Sequence, residues 1–124
     1  MKSGPPKQDI STRADIEKLV DAFYEKVKTD ELLSPVFRHV DFPKHMPTMY
    51  NFWSSLVFGD QSYSGNPFMR HKDLPIDRNH FERWLALFIE TVDQMFEGKQ
   101  ASEIKQRAQS IAALFQHRMG LIKE

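Results

Sequence analysis

The sequence predicts an all-α fold, and three observations carry the prediction. Four stretches repeat apolar residues at helical spacing, no stretch of any length alternates apolar and polar residues as a half-buried strand would, and glycine or proline punctuates the intervals between them. With 124 residues, 40% hydrophobic and 27% charged, the chain is long enough to bury one core and too short for two. A single domain over 11–124, preceded by a polar lead over 1–10, is the expected organisation.

The lead holds Gly4, Pro5 and Pro6 and is expected to be extended or disordered. Thr12, followed by Asp15 three residues on, has the spacing of a capping arrangement, and Ile16, Leu19, Val20, Phe23, Tyr24 and Val27 form one apolar face. These predict a helix over 12–29 with Lys18, Glu25, Lys26 and Lys28 turned to water. Between Thr29 and Phe42 the apolar pieces are brief and Pro35 interrupts them, so only one or two single turns are expected. Met46, Met49, Tyr50, Trp53, Leu56 and Val57 predict a second helix that stops at Gly59. Its start is placed near 45–47, because a proline deep inside a helix costs about 3 kcal/mol and both Pro43 and Pro47 precede the main run. His45 then stands at the helix mouth.

Residues 59–78 are expected to form a loop of about twenty residues with one turn around Pro67–His71, and its Tyr63, Phe68, Met69, Leu74 and Ile76 need something to pack on. Asp77 suits an N-cap for a third helix whose stripe runs through Phe81, Trp84, Leu85, Phe88, Val92, Met95 and Phe96 to a stop at Gly98. The last helix, about 101–119, turns Ile104, Ala108, Ile111, Ala112, Phe115 and Met119 inward and ends at Gly120.

Charge excludes more than it suggests. Seventeen basic against seventeen acidic residues leave a formal net charge of +0, with no field to draw nucleic acid or an anionic membrane. No apolar run approaches the length of a membrane span and MKSGPPKQ lacks the apolar block of a secretory signal, so the cytoplasm is the expected location. Zero cysteines rule out disulfides, thiolate catalysis, cysteine-ligated metals and covalent haem attachment through Cys-x-x-Cys-His. Any metal must lean on histidine, tyrosine or carboxylate.

Aromatic residues are abundant, with Phe 10, Trp 2 and Tyr 3 beside Met 6, which serves an ordinary core or, collectively, the lining for a flat aromatic ligand. Four polar groups interrupt the apolar faces and loops: Tyr24, His45, His71 and the Trp84 indole. Taken singly, each is accounted for by a backbone partner or by exposure; together they suggest one pocket. His71 draws notice because it sits among Phe68, Met69 and Leu74 in a short segment stopped by Pro75, where a histidine is presented on fixed backbone and can act as a ligand.

Six pieces in order then carry a resemblance: Asp21-Ala22-Phe23-Tyr24-Glu25-Lys26-Val27; Pro35-Val36-Phe37; His45 with Asn51-Phe52-Trp53; His71-Lys72-Asp73-Leu74-Pro75; Phe81-Glu82-Arg83-Trp84-Leu85; and Arg107-Ala108-Gln109-Ser110-Ile111-Ala112. At these spacings, from about Ile16 to Met119, the chain resembles the group III truncated haemoglobins. The resemblance implies a two-over-two helical sandwich around a non-covalently held haem b, iron protoporphyrin IX. It implies His71 as the proximal iron ligand, Tyr24 and Trp84 as residues facing bound ligand, His45 as the distal or gate histidine, and Phe37 stacked on the porphyrin. Met46, Met49, Phe52, Trp53, Met69, Leu74, Phe81, Phe88 and Phe115 would be pocket walls, with Arg70 and Lys72 near the propionates. Pro47, just after His45, departs from the family pattern and leaves open which way His45 faces.

Chemistry agrees with that transfer. Iron takes a neutral imidazole whose second nitrogen is held by a carbonyl, and hydroxyl and indole donors on the opposite side stabilise ligands that acquire negative character. The expected function is binding of O2, NO, CO or peroxide at ferrous iron, in nitric oxide or peroxide chemistry rather than bulk oxygen transport. Dioxygenase-like or peroxidase-like turnover would need electrons from a separate reductase, since nothing in these residues marks a flavin site or a reductase segment. Two alternatives stand beside it: a ligand binder or sensor without turnover, and a cofactor-free helical interaction module in which the aromatics are plain core.

Overall fold

The computed structural model describes residues 7–37, 42–59 and 78–118. Within them lie four helices and no strand: α1 (Arg13–Thr29), α2 (Phe42–Phe58), α3 (Arg78–Met95) and α4 (Lys99–Arg118). The helices pair as α1 with α2 and α3 with α4, and the pairs meet through α1 on α3 and α2 on α4. This is the all-α fold that periodicity predicts, in the two-over-two arrangement that the resemblance implies.

The start of α1 follows from its capping residues. Thr12 is extended (φ −136, ψ 165) and its side chain accepts the Asp15 N–H, while the Asp15 carboxylate accepts the N–H of Thr12 at 3.2 Å and of Ser11 at 2.9 Å. Such a reciprocal cap is worth about 1 kcal/mol. The N–H of Ser11, ahead of burial and the Thr12 contacts in weight, helps hold the Asp15 carboxyl below its usual range. Ile16, Leu19, Val20, Phe23, Tyr24 and Val27 are buried, as their spacing predicts. Lys26, expected to face water, instead crosses to α3, where its ammonium donates to Glu90 at 2.8 Å and Gln94 at 2.6 Å.

α2 begins at Phe42, earlier than 45–47. Pro43 occupies the first turn, where its missing N–H has no partner to lose; Pro47 is the interior proline, and it forfeits the one bond its N–H would have made to the Pro43 carbonyl. His45 is therefore within the first turn of α2, not ahead of it. Gly59 ends the helix with φ +67, a conformation that costs a side chain strain and glycine little, and its N–H donates to the Ser55 carbonyl at 2.9 Å.

The lead ends in a role its polarity does not advertise. Ile10 is buried in the main core, the Gln8 carbonyl accepts the Glu97 N–H at 3.0 Å, and the Asp9 carboxylate accepts the Gln100 N–H at 3.0 Å and the Ala101 N–H at 2.8 Å. Asp9 thus caps α4 from the other end of the chain. Burial would raise its carboxyl, but the N–H groups of Gln100, Ala101, Ile10 and Lys99 outweigh burial and hold it low. Gly98, predicted as a helix stop, lies past the end of α3 and makes room for this cap: with φ +143, a Cβ there would stand 2.6 Å from the Asp9 Cγ.

The core joins the inward faces of all four helices: Leu19, Val20, Phe23, Val27, Met49, Trp53, Phe88, Val92, Ile104 and Ala108 are among its buried members. Ala112 is buried as predicted, in a small satellite with Phe81. The expected inward positions Phe115 and Met119, the Asp77 cap and the Gly120 stop fall outside the described side chains and residues. No helix among the described residues is long and apolar enough to cross a membrane.

Candidate functional site

The site begins on α1. Phe23 and Tyr24 are consecutive, and the helix turns both inward, Tyr24 being 4% exposed. The Tyr24 ring meets His45 of α2 edge-on at 5.8 Å between centroids and Phe37 at 6.3 Å. Two positions far apart in sequence therefore close on one phenol. The His45 Nε2 is shut off from solvent, and the ring lies against Tyr24. Burial pushes the Tyr24 hydroxyl well above the ordinary tyrosine range, and the group keeps its proton at any physiological pH.

Phe37 reaches Tyr24 because of how α1 ends. Asp30 caps α1 in extended conformation, and its carboxylate accepts the N–H of Leu32 at 3.1 Å and of Leu33 at 3.0 Å, which opens a turn. The Ser34 N–H then bonds to the Asp30 carbonyl and the Phe37 N–H to the Leu33 carbonyl, and Leu33 anchors the turn in the core. Asp30 Oδ1 also accepts from Arg83 Nε of α3 at 2.6 Å. Burial would raise the Asp30 carboxyl, but the Arg83 guanidinium and the Leu33 and Leu32 N–H groups prevail and hold it below its usual range.

Trp84 of α3 also meets Phe23. Phe23 touches Tyr24 at 5.0 Å and Trp84 at 5.8 Å, both edge-on, so one ring bridges the two residues singled out as hydrogen-bond donors. Trp84 is stacked with Trp53 at 6.4 Å and with Phe88 at 5.7 Å, and Trp53 with Phe88 at 4.6 Å. Phe52 packs on Trp53 at 5.2 Å. Met49 is buried, and Met46 and Phe52 are half-buried against the same core. Phe81 sits apart, in the satellite with Ala112, against which Trp84 also packs.

Of the residues picked out by sequence, Tyr24, Phe37 and His45 come together directly, and Trp84, Trp53, Phe88, Phe52, Met46 and Met49 line the aromatic core beside them. Met69, Arg70, His71, Lys72, Leu74 and the Phe115 side chain lie outside what is described. Three contributors escape a reading of the sequence. Phe23 looks like any other apolar position of α1, while Asp30 and Arg83 look like surface charges, and nothing in their local sequence shows that they meet across 53 residues.

What the donor set can hold is a flat, largely apolar group. A hydroxyl, an imidazole and an indole stand among rings and thioethers, and among the described residues no cluster of His, Cys, Asp or Glu could hold a metal ion by itself. That chemistry fits a porphyrin, whose own nitrogens hold the metal.

Comparison with known proteins agrees. Residues 8–119 match the family model described as bacterial-like globin. The chain is 35% identical over 118 residues to the group 3 truncated hemoglobin ctb of Campylobacter jejuni, covering 90% of this chain and 93% of that one. It is 31% identical over 75 residues to the group 1 truncated hemoglobin GlbN of Nostoc commune, covering 60% and 64%. The crystal structure of the group III truncated hemoglobin from Campylobacter jejuni superposes with a TM-score of 0.84 at 35% identity, over 95% of this chain and 97% of that one. The chain belongs to the bacterial-like globin family, as a group III truncated haemoglobin, and its family works by binding small diatomic ligands at a haem.

Proposed function

We propose that the protein holds haem b non-covalently in a single globin-like domain over 11–124, to which the end of the lead adds a cap, with His71 as the iron ligand and Tyr24, His45 and Trp84 around the bound diatomic. In this reading it binds oxygen tightly in the cytoplasm and serves nitric oxide or peroxide chemistry, drawing electrons from a separate reductase. The observation that carries it is Tyr24, a phenol enclosed by Phe23, Phe37 and His45.

Haem, when bound, would supply the iron and its redox chemistry. The chain's own residues supply the rest. Tyr24 is a buried neutral phenol and therefore a donor, His45 lies against it, and the Trp84 indole, reached through Phe23, is the further donor of this reading. In an environment from which water is excluded, each such bond is worth about 1–3 kcal/mol, or roughly 5- to 150-fold in affinity. Phe37, Met46, Met49, Phe52, Trp53 and Phe88 exclude that water, with Met69, Leu74 and Phe115 as further walls, Phe81 behind Trp84, and Arg70 and Lys72 toward the propionates. Tight holding suits redox chemistry on the ligand better than delivery of it.

The test is kinetic. Tyr24→Phe and Trp84→Phe are each expected to speed oxygen release about fivefold or more, and unchanged release in both would remove the assignment. His71→Ala is expected to strip or loosen haem; wild-type haem spectra in that variant would move the ligand elsewhere. Rapid mixing of the oxygenated protein with nitric oxide, against peroxide-driven dye oxidation, distinguishes the two chemistries, and inactivity in both would leave a binder or sensor.

A further inference from the structure

Two observations about Asp30 go beyond its service to one helix end. It is a buried carboxylate, its side chain 5% exposed, whereas Lys26–Glu90 and Lys105–Asp93 each include a carboxylate that is 55% exposed. A carboxylate withdrawn from water is costly unless fully bonded, and Asp30 is bonded to the turn that carries Phe37 and to α3 at Arg83. The second observation is sequence position. Arg83 and Trp84 are consecutive, and consecutive helical residues point about 100° apart around the axis. Arg83, itself half exposed, is held on Asp30 at 2.6 Å, and that tie adds to the buried Phe88 and Val92 in setting the rotation of α3 that carries Trp84 to Phe23, Trp53 and Phe88.

We propose that Asp30 and Arg83 are positioning residues: their ion pair sets the azimuth of the Trp84 indole relative to Tyr24 and, through it, the residence time of bound ligand. The link to residence time rests on the reading of Trp84 and Tyr24 as ligand-facing donors; the link to azimuth does not. One carboxylate ties together the end of the Tyr24 helix, the Phe37 turn and the Trp84 helix, so loosening it frees three sides of the site at once.

The haem-loaded protein provides the test. In a Trp53→Phe background Trp84 is the sole indole of the chain, and the picosecond decay of its emission, quenched by haem, reports its distance and orientation. Near-ultraviolet circular dichroism reads the same indole's surroundings without haem. Arg83→Gln and Asp30→Asn are each expected to shift both signals and to speed oxygen release about fivefold, with the double variant no faster than the faster single. Asp9→Ala, which destabilises the fold at a different helix end, is expected to leave all three at parental values. Unchanged indole signals in Arg83→Gln would overturn the proposal, as would equal changes in Asp9→Ala. Should Arg83→Gln fail to fold, Asp30→Asn removes the charge from the other side of the pair, and parental indole signals and release there count against the proposal. Trp84→Phe separates the two claims: normal release in it removes the ligand-facing role of Trp84, while shifted indole signals in Arg83→Gln still uphold the positioning.

Discussion

Replacing Gly98 by alanine should cost this small protein about 2–4 kcal/mol, far more than one methyl group suggests, and the loss has two separable parts. The backbone at Gly98 has φ +143, a region in which an L side chain is strained by about 1–3 kcal/mol. The added Cβ would also stand 2.6 Å from Asp9 Cγ and 2.8 Å from Asp9 Cβ and Oδ2, so the carboxylate must leave. It would then lose its bonds to the Gln100 and Ala101 N–H groups, a cap worth about 1 kcal/mol. Urea unfolding at neutral pH measures the total. A double-mutant cycle separates the parts: with Asp9→Gly already in place, which removes the Cβ as well as the carboxylate, Gly98→Ala should cost only the strain, leaving a coupling of about 1 kcal/mol between the two positions. Wild-type stability in Gly98→Ala, or strict additivity in the cycle, would refute the idea that this glycine exists to admit the Asp9 cap.

Acid should unfold the protein through the same kind of group. Asp9, Asp15 and Asp30 all have folded carboxyls below their ordinary range. A depressed folded value means that the stability each contributes is complete above the unfolded value of about 4 and is lost as pH falls through the folded value. Urea melts at pH 7 and pH 3 should show that loss, and Asp30→Asn should shrink the difference between them. At the alkaline end, burial and the neighbouring Asp21, to which its hydroxyl donates, push Tyr50 up to about 12. Tyr50 therefore stabilises the fold fully below about pH 10 and loses that contribution as pH rises toward its folded value; Tyr50→Phe should flatten the alkaline limb of the stability curve. Lys26→Met should change stability by no more than about 1 kcal/mol, because its Glu90 partner is largely in water, and a larger loss in a thermal melt would mean the α1–α3 bridge is stronger than its exposure implies.

Periodicity and caps carried most of the fold to the surface of the sequence. The Thr12–Asp15 pair, the apolar face from Ile16 to Val27 and the stripe from Phe81 to Phe96 are local patterns, and local patterns fix local structure. The start of α2 was obscured because two prolines close together look forbidding until one of them falls in the first turn. The lead was obscured for a different reason: nothing in Gln8-Asp9-Ile10 distinguishes a tail from a clasp, since its partners stand some 90 residues away at Glu97, Gln100 and Ala101. The same holds at the site. Tyr24 and Trp84 announce themselves as polar tips on apolar faces, whereas Asp30 and Arg83 become visible only when α1 and α3 are side by side.

Absorption spectra of the purified protein, oxidised, reduced and reduced under carbon monoxide, with haemin titrated into any colourless fraction, reach the core of the matter. A haem-binding globin should give an intense Soret band that sharpens and shifts with carbon monoxide, at one haem per chain, with a melting temperature raised by haemin. Spectra that stay those of free haemin, with a melting curve unmoved by its addition, would contradict haem as the group around which Tyr24, His45 and Trp84 are assembled.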